Sequence, residues 1–180
     1  MAGANGQPAG GKVGSAEERV STAALLAAME LIRGMSEHPA ATPADQLLDD
    51  LQQAEIGHEE LTQAFATLLF GFLQVCSDAD VDMIVGSVTR RLRRLQLVPE
   101  PMVTRMCGAM GAAAAGLSPL GWRERFGPMP PGEALAWAYT TWLLADLLDY
   151  LGEEGGQRDR FSDRVVELLL TVDSAPGGGV

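Results

Sequence analysis

The sequence predicts an all-α fold, a compact bundle of about six or seven helices with glycine-rich, disordered ends. Three observations carry that expectation. Leu (24) and Ala (25) dominate the apolar residues, against 12 Val and 3 Ile, so helix formers far outnumber the β-branched residues that sheets favour. Apolar positions recur at spacings of three and four in segment after segment. Two stretches, 61–77 and 134–145, carry no charged residue at all. They contain Gln and Thr or fall short of the roughly 20 apolar residues that cross a bilayer, so they read as helices enclosed by neighbours.

Residues 1–15 carry five glycines and 174–180 contain Pro176-Gly-Gly-Gly, with little apolar material in either, which leaves 16–173 as a single folded domain. Its first helix, over 16–37, opens on Glu17 and Glu18, sets Leu25, Ala28, Met29, Ile32 and Met35 on one face, and stops before Pro39. Thr42-Pro43 is an N-cap followed by proline at the first helical position, which starts a second helix over 42–56 that Gly57 ends. The third, over 58–76, is apolar nearly all round after its first turn. Ser77 with Asp80 resembles a capping box for a fourth, in which Val81, Val85, Val88, Leu92 and Leu95 form a narrow heptad seam.

Pro99 and Pro101 begin a fifth helix whose end, from Gly108 to Gly116, is so rich in Gly and Ala that another backbone can approach closely. Ser118-Pro119 starts a short turn of helix, and Gly127-Pro-Met-Pro-Pro131 is a stiff connector. A further helix over 133–151 carries Trp137, Tyr139 and Trp142, with Asp146 and Asp149 only in its last turns; it and the third helix form the centre of the bundle. The last sets Phe161, Val165, Leu168 and Val172 inward.

The net charge of −11 disfavours nonspecific binding to nucleic acid or an anionic membrane. Two cysteines, Cys76 and Cys107, are too few for a disulfide framework, and the N-terminal region has no apolar core of an export signal, which points to a reducing, cytoplasmic setting. Cations are 12 Arg and one Lys, a composition of GC-rich, bacterial coding. Charge is also segregated. From Gly34 to Thr89 there are ten acids and no Lys or Arg; from Arg90 to Arg125, seven Arg and two Glu; from Gly132 to Asp173, nine acids and three Arg. These blocks can neutralise one another within the domain or between two copies of it.

No motif names an activity. Gly6 to Lys12 has the frame of a phosphate loop, but Val13 replaces the hydroxyl that binds magnesium and no strand precedes it. Asp78, Asp80 and Asp82 begin like a calcium loop, yet Met83 and Thr89 stand where glycine and glutamate are required. Glu55 and His58 have the spacing of one half of a di-iron site without the other half. Asp49-Asp50 lacks the third aspartate of a diphosphate-binding box. Met102, Met106 and Met110 beside Cys107 line one helix side and read as packing rather than as a copper site. With two histidines, His38 and His58, a nucleophile paired with an imidazole base has little material. Neither a metal nor a cofactor is expected.

Two clusters remain. Arg90, Arg91, Arg93 and Arg94 form the one dense basic group, placed to meet acidic blocks of the same chain or of a partner. Tyr139, Trp142, Asp146 and Asp149 fall on one side of a helix, as a pocket wall with carboxylates at its end would require, and would suit an apolar amine. The leading expectation is a non-enzymatic helical protein-protein interaction protein, adaptor or regulator, that self-associates as a homodimer or docks to another protein. The alternative is a small-molecule-binding regulatory or carrier domain using the face around Trp142, and a helical enzyme comes third.

Overall fold

The computed structural model describes residues 20–37, 56–76, 78–130, 132–154 and 160–174, and within them every side chain except those of 78, 79, 154, 161, 166, 168 and 172–174. The predicted helix over 42–56, both terminal tails and the first residues of the predicted 16–37 helix lie outside these. Among the described residues are seven α-helices and no strand, as expected: α1 (Thr22–Glu37), α2 (His58–Gln74), α3 (Asp78–Leu95), α4 (Glu100–Ala114), α5 (Pro119–Arg123), α6 (Glu133–Glu154) and α7 (Phe161–Ser174). A 3-10 turn, Glu124–Phe126, extends α5. None of these helices is long and apolar enough to cross a membrane.

The two charge-poor segments become α2 and α6, and they form the most extensive helix pair of the bundle. Leu61, Phe65, Leu68, Leu69 and Phe72 of α2 meet Ala136, Trp137, Leu143 and Leu144 of α6 in one buried cluster. The polar residues in these helices do not disturb it. Thr62, Thr140 and Thr141 are fully buried and donate their hydroxyls to the carbonyls of His58, Ala136 and Trp137, one turn back, so these three hydroxyls are paired within their own helices.

The remaining helices cover this pair. The apolar stripe of α1, with Met35 at its end, packs across both central helices; α3 packs on α4 and α6, and α7 on α6 and α2. Gly71 lets α7 close on α2: a Cβ there would sit 3.2 Å from methyl groups of Val165 and Leu169. The small-residue end of α4 does the same for a ring, since a Cβ on Gly108 would fall 2.3 Å from the Trp122 indole. Ser118 caps α5 as its sequence predicts, accepting a hydrogen bond from the Gly121 amide at 3.1 Å.

The heptad seam of α3 is largely consumed by the chain's own core. Val88 and Leu92 are buried together with Ile84, while Val81 and Val85 are half-buried and Leu95, at the end, is 47% exposed. The helix ends in Gln96 with φ 53°, a left-handed residue at the position that closes many helices.

Candidate functional site

Helices α1 and α3 both pack against α6, and between their C-terminal ends and the middle of α6 they leave a cavity of about 300 Å³. Its walls are Met35 and Ser36 from α1, Arg91 and Leu95 from α3, Leu97 just beyond it, and Tyr139, Trp142 and Asp146 from α6. The helical spacing explains the α6 contribution: steps of three and four put those side chains on one stripe. Tyr139 and Trp142 are nearly buried, their rings 6.4 Å apart and tilted at 58°. The indole Nε1 of Trp142 donates to Ser36 Oγ at 3.1 Å, which fixes the ring against α1.

At the rim Arg91 Nη1 donates to Asp146 Oδ2 at 2.8 Å, with both side chains about two-fifths exposed. Three of the four residues proposed for an α6 pocket therefore share one cavity, and one of the four clustered arginines joins them. Asp149 is used elsewhere. Its carboxylate accepts from the amide and the hydroxyl of Ser162 at 2.8 and 2.9 Å, holding the first turn of α7. The other arginines also point away: Arg93 bonds Glu100 at 2.8 Å, an interaction that raises its pKa, Arg90 donates to Ser87 at 3.2 Å, and Arg94 is exposed.

A second polar centre had no sequence signal. Glu133, fully buried at the start of α6, accepts a two-pronged bond from Arg123, Nε at 2.7 Å and Nη2 at 2.9 Å. Arg123 is 7% exposed, its Nη1 donates to the carbonyl of Gly127, and the Glu133 bond raises its pKa. Arg105 of α4 comes within 3.5 Å of the same carboxylate and lies over the Phe126 ring, 5.8 Å from its centre. This cluster ties α4, α5 and α6 together. A further groove of about 330 Å³, lined by Ala66, Thr67, Phe70, Gly116, Ser118, Pro119 and Leu120, has no charged side chain. Its two hydroxyls already serve the backbone, Thr67 donating to Gln63 and Ser118 accepting from Gly121.

Among the described residues no group of three His, Cys, Asp or Glu is arranged to hold a metal ion. Met106 and Met110 are buried in the apolar core, while Asp80, Asp82 and His58 are exposed. Gly6 to Lys12, His38, Asp49, Asp50 and Glu55 lie outside the described residues. No family model, no curated protein and no solved structure matches the chain. Any functional reading therefore rests on the side chains just described.

Proposed function

We propose that this chain is a non-enzymatic, cytoplasmic small-molecule-binding domain of regulatory or carrier type, and that its ligand occupies the cavity around Trp142. One observation carries the reading: residues from three helices converge on a concave, aromatic-floored space with a charged pair at its rim. That is the usual make-up of a ligand site, mostly apolar with a few polar groups that fix orientation. The volume, about 300 Å³, suits a small metabolite. Trp142 is itself the reporter. Titration with small apolar compounds bearing one or two charged groups should quench tryptophan fluorescence, and saturating ligand at about 100 times its Kd should add about 2.7 kcal/mol of stability. Trp142→Phe should abolish the quenching. A panel of such compounds that neither quenches nor stabilises the protein would overturn the proposal.

Self-association is the second reading, and a specific observation favours it. Leu117, just before α5, and Phe126 and Met129, just after it, are large apolar side chains exposed to solvent, which a second copy of the chain would cover. Light scattering should then report a homodimer that Leu117→Glu dissociates; a monomer at every salt concentration removes this reading.

A further inference from the structure

Resting on the reading of the Trp142 cavity as a ligand site, we infer that its ligand is a zwitterion, a free α-amino acid with an apolar or aromatic side chain. The apolar amine that the α6 stripe alone would suit is set aside by Arg91. The guanidinium already neutralises Asp146, so the rim carries both signs and no net charge. A lone amine would add a positive charge to a pair that is already neutral, and a lone carboxylate a negative one, each leaving the rim with one unbalanced ion. An α-amino acid brings both partners on one carbon. Its ammonium meets the aspartate, its carboxylate meets the guanidinium, and charge balance is kept.

The rim pair is built loosely enough to admit such a ligand. Arg91 and Asp146 share one contact, Nη1 to Oδ2 at 2.8 Å, whereas Arg123 and Glu133 in the same protein make the full two-pronged fork in the interior. A half-exposed, one-contact pair contributes little stability, so opening it costs little. The guanidinium keeps further donors and Asp146 keeps Oδ1 for a guest. Below the rim, Met35, Leu97, Tyr139 and Trp142 supply an apolar floor. The Trp142 N–H is spent on Ser36, so it is not free to donate to a ligand.

Calorimetric titration of the full chain with L-phenylalanine, phenethylamine and 3-phenylpropionate tests this. L-phenylalanine is expected to bind more tightly than either singly charged analogue by about tenfold or more. Asp146→Asn should weaken L-phenylalanine but spare 3-phenylpropionate, and Arg91→Gln should weaken L-phenylalanine but spare phenethylamine. The ranking on the unmodified protein needs no variant to fold. If a singly charged analogue binds as tightly as L-phenylalanine, the zwitterion inference fails and the cavity remains a ligand site. If none of the three binds, both fall.

Discussion

Replacing Glu133 by Gln removes the one carboxylate that Arg123 and Arg105 share, while keeping the shape of the side chain. Glu133 is fully buried and Arg123 is 7% exposed, with two N–H to O contacts at 2.7 and 2.9 Å between them. Breaking a buried pair by removing one partner costs about 3–5 kcal/mol, because the other charge stays in the interior without compensation. The lower end, about 3 kcal/mol, applies here: Arg123 also donates to the Gly127 carbonyl, and Arg105 is 29% exposed and can turn to water. For a chain of this size each kcal/mol shifts the melting temperature by about 2–4 °C, so Glu133→Gln should lower Tm by about 6–12 °C. The double replacement Arg123→Met, Glu133→Leu should lose far less than the two single changes added together, since packed apolar groups substitute well for a buried pair. Thermal unfolding followed by circular dichroism at the helix band reads both. A Tm within about 2 °C of the unmodified protein for Glu133→Gln, or additive losses in the double variant, would refute a buried, mutually dependent pair.

Gly108→Ala should destabilise by about 1–3 kcal/mol because its Cβ would sit 2.3 Å from the Trp122 ring, and Trp122→Leu should suppress the loss; urea unfolding of the single and double variants checks the suppression. Asp149→Ala should cost about 1 kcal/mol and fray α7 first, seen as faster amide exchange at Ser162 and its neighbours, because the carboxylate accepts from that amide and hydroxyl. Burial, and secondarily the charge of Asp80, pushes the Cys76 thiol above its ordinary pKa. Native Cys76 should therefore alkylate more slowly than the unfolded chain at mildly alkaline pH, by mass spectrometry. With the folded pKa raised, its contribution to stability is intact below the unfolded thiol's pKa and is lost as pH rises through the folded value.

The centre of the bundle was legible in the sequence because it depends on composition over many residues. The segments that became α2 and α6 have almost no charge, and no arrangement in water leaves such helices on the outside. The α6 stripe was legible for the same reason, since Tyr139, Trp142 and Asp146 are fixed relative to one another by one helix. What joins them was not. Arg91 lies 55 residues from Asp146 in sequence, and only the packing of α3 on α6 brings the two together; charge segregation indicated that basic and acidic blocks would meet, without saying which residues. Asp149 shares the periodicity of Asp146, yet one turn further along α6 its neighbour is the start of α7, so periodicity alone could not separate a rim residue from a capping one. The Arg123 and Glu133 pair carried no signal at all, because it links a five-residue helix to the first turn of another across the Gly127 connector. The seam of α3 was legible as a seam, but its spacing fits burial in its own domain as well as pairing with a copy.

The cavity is tested most directly by the indole N–H resonances of Trp122, Trp137 and Trp142 in a two-dimensional nitrogen–proton spectrum recorded during titration with L-phenylalanine. The Trp142 signal, identified by its loss in Trp142→Phe, should move on saturation because that N–H and its Ser36 partner line the site, while the fully buried Trp137 signal stays in place. An unmoved Trp142 signal at concentrations that shift others, or no shift at any indole, would contradict a ligand site between α1, α3 and α6.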